Sequence, residues 1–287
     1  MATKPLYICT KKKMCKKIYN AAPLPFMGQK RRFIKDFKNV LKQIDDITTI
    51  VDLFGGSGIL SHVAKCERPD LRVVYNDYDF YCKRLDNVAV TNEILSVVRS
   101  LVANVPKGKK IPNEIRYCIL DLVRQYEIAG FVDYITLSSS LLFSGKYATN
   151  YDELSKHTMY NVMRRADYDV DGYLDGLEIA HCDYRELFPR FPNKEKTLFL
   201  IDPPYLSTEV GSYLCYWKLS DYLDVLKLLQ GTRFIYFTSS KSQIVELCNW
   251  LSENGDLCKI LKGTALFTQE NVINYNAGFT DMMLVKV

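Results

Sequence analysis

Thr48-Thr49-Ile50-Val51-Asp52-Leu53-Phe54 runs directly into Gly55-Gly56-Ser57-Gly58. The β-branched, apolar run predicts a buried strand. The glycines that break it predict a tight turn where backbone can approach a ligand closely. Ile59–Cys66 then has the pattern of a helix, and Leu71–Tyr75 that of a second strand ending at Asn76-Asp77. Strand, helix, strand is the unit of a parallel sheet with helices on its faces.

Upstream, Phe33, Ile34, Phe37, Val40, Leu41 and Ile44 recur on one face and predict a helix over 30–44. Downstream, residues 81–179 read as helical, with patterns at Leu85–Val102, Asn113–Glu127 and Ser155–Arg165 joined by polar turns such as Pro106–Lys110. Strand patterns resume at Glu178–Cys182, Thr197–Ile201 and Arg233–Thr238. They close with Ile260–Phe267 and Thr280–Val287, expected as an antiparallel edge pair. The predicted organisation is one α/β domain from 1–80 and 180–287, with a basic arm at 1–22 and a helical insertion at 81–179.

With 48 % hydrophobic and 25 % charged residues among 287, the composition is that of a globular protein, not a disordered or collagenous one. No run approaches the roughly 18 apolar residues of a membrane span, and the basic N-terminus lacks a signal peptide's apolar stretch. Nine cysteines lie without metal-type spacing, and most read as small buried hydrophobes in a reducing cytosol. Charge is unevenly placed. Residues 1–42 hold twelve Lys and Arg against Asp36 alone, a balance of +11, leaving 26 basic and 32 acidic groups beyond, or −6. Such asymmetry fits a polyanionic partner, nucleic acid or anionic membrane, or else a solvated basic tail.

Asp77 lies 19 residues beyond Gly58, at the end of the second strand, where an α/β fold places a carboxylate for ribose hydroxyls. Ser61 stands in place of the third glycine of a dinucleotide fingerprint, and no Gly-Lys is followed by Ser or Thr. A nucleoside pocket is one reading of the loop; glycine demanded only by sterics is the other. A sharper feature is Asp202-Pro203-Pro204-Tyr205, directly after the apolar Leu198–Ile201. Two prolines end a strand and stiffen the turn, because neither offers an N–H and both fix φ. An Asp there, followed by rigid carbonyls and an aromatic face, can also hold a planar amino group: the carboxylate and the Asp202–Pro203 carbonyl accept its protons, and Tyr205 stacks on the ring.

Asp-Pro-Pro-Tyr preceded by Phe54-Gly55-Gly56-Ser57-Gly58 resembles amino-methylating DNA methyltransferases, and the motif order resembles the Dam-like class of DNA adenine methyltransferases. Pro25-Phe26-Met27-Gly28-Gln29-Lys30 is similar to that family's aromatic-x-Gly-x-Lys motif, and Cys182-Asp183-Tyr184 to its Asp-aromatic motif. The resemblance spans about residues 23–287. It implies a Rossmann-like S-adenosylmethionine-dependent methyltransferase fold, a mixed doubly wound sheet with a helical target-recognition insertion. Phe26, Gly28, Lys30, Phe54, Gly56, Gly58, Asp77, Asp183, Tyr184 and Asp202 would surround S-adenosylmethionine. Asp77 would hold its ribose, Asp183 its adenine amino group, and Tyr184 or Phe54 would pack on the rings. The reaction implied is methyl transfer to the amino group of an adenine flipped out of double-stranded DNA, with Asp202, Pro203, Pro204 and Tyr205 catalytic. A cytosine amino methyltransferase, an RNA adenine methyltransferase and a non-catalytic DNA-binding relative stay open as alternatives. Leu137–Gly145 keeps only the apolar and Gly frame of the family's recognition segment, so no target sequence carries over. No Pro-Cys dipeptide occurs, which argues against cytosine ring-carbon methylation through a cysteine.

Lys107, Lys109, Lys110, Lys146, Arg164 and Arg165 are candidate phosphate contacts in the insertion, or ordinary surface charges. Asp167–Glu178 satisfies the spacing of a calcium loop, but Glu178–Asp183 reads as a strand where an exit helix is needed. A polar turn, with no metal, is expected there. His62 is expected to pack or to lie at the surface rather than to act in catalysis, and His157 and His181 have no partner spacing for a metal or a triad.

Overall fold

The computed structural model describes residues 17–143, 146–204, 217–253, 260–274 and 277–287. Its strands are β1 (Thr49–Asp52), β2 (Arg72–Asn76), β3 (Glu178–Ala180), β4 (Thr197–Ile201), β5 (Arg233–Ser239), β6 (Ala265–Asn274) and β7 (Ala277–Lys286). The helices are α1 (Ile34–Lys42), α2 (Ile59–Glu67), α3 (Tyr81–Asp86), α4 (Val88–Leu101), α5 (Asn113–Ala129), α6 (Tyr134–Leu141) and α7 (Tyr151–Lys156). α8 (Tyr184–Leu187), α9 (Leu219–Leu228) and α10 (Ile244–Glu253) complete the series.

The strands form one sheet in the order β3-β2-β1-β4-β5-β7-β6. Pairings from β3 through β5 are parallel, and β7 is antiparallel to both β5 and β6. This is the mixed doubly wound sheet expected from the sequence. Every residue of β4 is buried, as a central parallel strand covered on both faces requires. One face is covered by Tyr184, Leu187, Tyr222, Val225, Leu226 and Ile244, packed against Val51, Phe199 and Phe234. On β1 and β2 sits α2, which also packs on α1. The chain lays β1, β2 and β3 outward in one direction, then returns to place β4 on the other side of β1. That reversal opens a crevice at the carboxyl ends of β1 and β4, where such sheets bind ligands. Register fixes the level: Asp52 lies opposite both Tyr75 and Leu200. The turns after β1, β2 and β4 therefore leave the sheet along one edge.

The chain separates into two compact units. One holds the described residues up to Ala21, Gln29–Asp79 and Gly172–Val287; the other holds Ala22–Gly28 and Phe80–Asp171. Residues 172–179 thus belong with the sheet, where Tyr173 and Leu177 are buried and β3 begins, and 22–28 belong with the helices. In the helical unit the Arg84 guanidinium grips both Asp133 oxygens at 3.0 Å and donates to the Pro25 carbonyl at 2.8 Å. The Tyr81 hydroxyl accepts from the Leu24 N–H, and Phe26 meets the Tyr81 ring edge-on.

Several elements differ from expectation. The helix predicted over Ser155–Arg165 is instead α7, started by Asn150, whose side chain accepts from the Glu153 N–H. Beyond it the backbone is extended and bonds across to residues 109–111 rather than along a helix. The first helix opens with a short 3-10 turn, Arg31–Phe33, and ends at Lys42. The strand expected from Ile260 starts at Ala265, after a turn with Gly263 at φ 79°. The last two strands do pair antiparallel, but β7 inserts between β5 and β6. α6, α9 and α10 were not marked in the sequence. The exit of the calcium-loop segment is strand β3, as its pattern indicated, and Glu178 is bidentate to Arg72 at 2.9 and 2.7 Å. Of the free cysteines among the described residues Cys248 is buried, Cys82 and Cys182 are half-buried and Cys118 is exposed, so burial is less complete than expected. Among the described residues no helix is long and apolar enough to cross a membrane, and no group of three or more His, Cys, Asp or Glu could hold a metal ion.

Candidate active site

At the end of β1 the chain turns through Phe54–Gly58, with the Gly58 N–H donating to the Gly55 carbonyl at 2.7 Å. Gly58 caps α2 at φ 75°, a left-handed conformation that suits glycine. The strictest steric demand falls on Gly55, where a Cβ would lie 2.3 Å from the Tyr75 ring. Gly55 belongs to the glycine turn expected from the sequence, whereas Tyr75, one residue of an apolar strand, carries no local signal of its place beneath that turn. The Tyr75 hydroxyl lies 2.7 Å from the Gly56 carbonyl and 3.0 Å from Asp77 Oδ1, tying the glycine turn to the end of β2. Asn76 stitches neighbouring strand ends together, donating to the carbonyls of Leu53 and Cys182 and accepting from the Cys182 N–H.

Asp77 is fully buried, and His181 Nδ1 sits 2.9 Å from its carbonyl oxygen and 3.6 Å from its Oδ2. Asp183 follows β3 and caps α8, its Oδ1 accepting from the Arg185 N–H at 2.8 Å. The next residue, Tyr184, is buried beneath a second aromatic layer. Its ring centroid is 5.0 Å from Phe54 and 5.7 Å from Trp217, the latter stacked at 29°. Trp217 was also missed, since an isolated Trp outside any motif gives no signal.

Asp202 leaves the end of β4. Its Oδ2 is 2.6 Å from Lys30 Nζ, and Lys30 is only 7 % exposed. Burial pushes the Asp202 carboxyl up, and the Lys30 ammonium pulls it back down. Pro203 is buried, and the Pro204 carbonyl accepts a short hydrogen bond from the Tyr222 hydroxyl. Beside this turn Asp52 is 1 % exposed and accepts from Ser61 Oγ at 2.7 Å. Its other oxygen has no hydrogen-bond partner among the described residues. Burial pushes Asp52 up to about 7, the Ser61 bond opposing and the Asp202 charge adding to the rise.

Lys30, Phe54, Gly56, Gly58, Asp77, Asp183, Tyr184 and Asp202 thus belong to the sheet unit, the last seven at its carboxyl edge. Phe26 and Gly28 belong to the helical unit, as do Lys107, Lys109, Lys110, Lys146, Arg164 and Arg165, all six of these cations exposed. Tyr205 lies outside the described residues. His62 is a packing residue: its Nε2 accepts from the Tyr19 N–H, its Nδ1 is 2.5 Å from the Tyr173 carbonyl, and burial lowers its pKa.

Residues 26–262 match the family described as D12 class N6 adenine-specific DNA methyltransferase. The chain belongs to this family. A relative from Haemophilus influenzae named "Putative methyltransferase" is 38 % identical over 247 residues, covering 83 % of this chain and 82 % of its own length. A release factor glutamine methyltransferase from Staphylococcus aureus is 51 % identical over 37 residues, 13 % of each chain. Among solved structures, a precorrin-6y C5,15-methyltransferase from Geobacter metallireducens aligns over 96 % of this chain and 94 % of its own. That alignment has 9 % identity and a TM-score of 0.34. This D12-class methyltransferase has the Rossmann-like fold its motifs implied, with its glycine turn and Asp-Pro-Pro turn on adjacent strands.

Proposed function

We propose that this methyltransferase modifies the exocyclic amino group of adenine in double-stranded DNA, with S-adenosylmethionine as donor, in the cytoplasm. The observation that carries the reading is Asp202: a carboxylate at the tip of a buried strand, held by a buried Lys30 and followed by a braced Pro-Pro turn. The residues present fit the cofactor. A turn that admits no Cβ at Gly55 leaves backbone exposed to a ligand, and carboxylates end β2 and follow β3. Phe54, Tyr184 and Trp217 supply flat apolar surfaces. Asp77 would hold ribose hydroxyls, and Asp183 the cofactor's adenine amino group. S-adenosylmethionine supplies a methyl group on a sulfonium, an electrophile that needs no further activation.

The acceptor nitrogen is a weak nucleophile because its lone pair is delocalised into the ring. Asp202 and the Asp202–Pro203 carbonyl accept its amino hydrogens, which localises the lone pair toward the methyl carbon. Lys30 orients the Asp202 carboxylate and opposes part of the upward push that burial gives it. The proton lost from the methylated nitrogen passes to an Asp202 carboxylate oxygen. Tyr205, the expected stacking partner of the target ring, lies outside the described residues. Reaching such a site requires the base to leave the duplex, as it does in enzymes that do chemistry on a duplex base.

Radiolabel transfer to defined oligonucleotides tests the reading. Label is expected in N6-methyladenine from adenine-containing duplexes. Label in cytosine alone, or in structured RNA in preference to duplex DNA, would replace this reading by the corresponding alternative.

A further inference from the structure

Trp217 stands at the head of α9, where its neighbour pins the backbone. The Lys218 N–H donates to Asp221 at 2.8 Å, and Asp221 also takes the Arg185 guanidinium of α8 at 2.7 Å. From this position the indole meets three rings on three elements. Its centroid is 5.7 Å from Tyr184, stacked at 29°. It is 5.4 Å from Phe54 and 5.1 Å from Tyr222, both edge-on at 70°. Phe54 and Tyr184 themselves lie 5.0 Å apart.

The three rings belong to different parts of the site. Phe54 opens the glycine turn after β1, and Tyr184 follows Asp183 at the start of α8. Tyr222, on α9, is buried, and its hydroxyl donates to the Pro204 carbonyl in the turn after β4. One half-buried indole therefore touches two rings proposed for the cofactor and the ring that braces the Asp-Pro-Pro turn. Plain packing would ask only for apolar volume at this position. Stacked and edge-on contacts ask for a flat ring, and each such pair is worth about 2- to 12-fold in an equilibrium beyond the area it buries.

We propose that Trp217 is a positioning residue, holding the aromatic wall of the cofactor site and, through Tyr222, the Asp-Pro-Pro turn in one fixed arrangement. The inference rests on the S-adenosylmethionine reading above and gives that site a member outside the motifs that mark the family. Methyl transfer needs the sulfonium carbon and the target nitrogen aligned, and a small misplacement costs rate steeply. Trp217 acts through the rings beside it, so its loss reaches both cofactor binding and the chemical step.

The two tryptophans of the chain are Trp217 and Trp250, and Trp250 is exposed on α10. Trp250→Phe therefore leaves Trp217 as the sole indole reporter. Titrating S-adenosylmethionine into that variant should change the emission saturably, with the dissociation constant that calorimetry gives for the wild type. Trp217→Leu keeps apolar bulk without a ring, and Trp217→Phe keeps a ring. The Leu variant should raise the cofactor dissociation constant about tenfold, whereas the Phe variant should stay within about threefold of wild type. Single-turnover methylation of duplex DNA at saturating cofactor should slow about tenfold or more in the Leu variant and little in the Phe variant. Tyr222→Phe loses the hydroxyl but keeps the ring, so it should slow methylation while leaving the dissociation constant unchanged. Thermal melts confirm that each variant is folded. Leu and Phe variants alike in binding and rate, or Trp217 emission unmoved by saturating cofactor, would overturn the positioning role and spare the cofactor reading. Tyr222→Phe at the wild-type rate would overturn the link to the turn. A wild type that binds no S-adenosylmethionine by calorimetry would overturn the cofactor reading and this inference with it.

Discussion

Asp52 and Asp202 end adjacent strands, yet their surroundings set them to different tasks. Asp202 has a cation at 2.6 Å, whereas Asp52 accepts from the Ser61 hydroxyl and its other oxygen has no hydrogen-bond partner among the described residues. Asp202→Ala should therefore abolish methyl transfer while leaving cofactor and DNA binding largely intact, since removing one preorganised polar group costs about 10²–10³ in rate. Single-turnover methylation at saturating DNA reads this out, and a folded variant within tenfold of wild type would make the Asp-Pro-Pro turn merely structural. Asp52 predicts a pH effect on stability. Its carboxyl titrates near 7 when folded and in the ordinary carboxylate range when unfolded, so the folded state holds the extra proton between those values. Stability from this group is full below about pH 4 and is lost as pH rises through 7. Between pH 5 and 8 the wild type should lose about 2–3 kcal/mol relative to Asp52→Asn, which cannot ionise. Urea melts at both pH values measure it, and parallel losses in the two proteins would contradict it.

At the scale of elements, the glycine turn is held by its neighbour as much as by its own sequence. Tyr75 projects from β2 beneath the turn, so a side chain at Gly55 has nowhere to go. Gly55→Ala should cost about 1–3 kcal/mol through overpacking and should weaken cofactor binding as the turn shifts. Gly130→Ala is the control, because a Cβ there meets nothing within 4 Å and the backbone is extended at φ 168°. Thermal melts and cofactor titration of both variants decide, and equal behaviour would deny Tyr75 its part. The helix predicted over Ser155–Arg165 shows how tertiary context overrides a local pattern. Its amphipathic spacing is real, but the Asn150 cap starts the helix early, and residues 159–161 find backbone partners at 109–111. Those bonds lie outside any local window of sequence.

For the whole molecule, the dominant feature is charge placed in one segment rather than spread. Residues 1–42 stand at +11 against −6 for the rest, and six lysines fall within the first seventeen residues. If about four of these meet phosphates, deleting residues 1–17 should flatten the salt slope of DNA binding by about 3–4. A truncated protein with the full slope would show that the arm is solvated and unengaged.

The sequence by itself determined the strand–glycine–helix start, the buried β4, the antiparallel pairing of the last two strands and the motifs that mark the family. Each follows from local chemistry: β-branched runs, backbone limits of Gly and Pro, and carboxylates placed at strand ends. What only the tertiary structure decided are the partnerships. Lys30 sits on Asp202, Tyr75 lies under Gly55, His181 braces Asp77, Trp217 stacks on Tyr184, and β7 inserts between β5 and β6. An alternating or apolar run states that a strand exists, but the strand beside it is chosen by packing and hydrogen bonding across the completed sheet, which no local stretch of residues encodes.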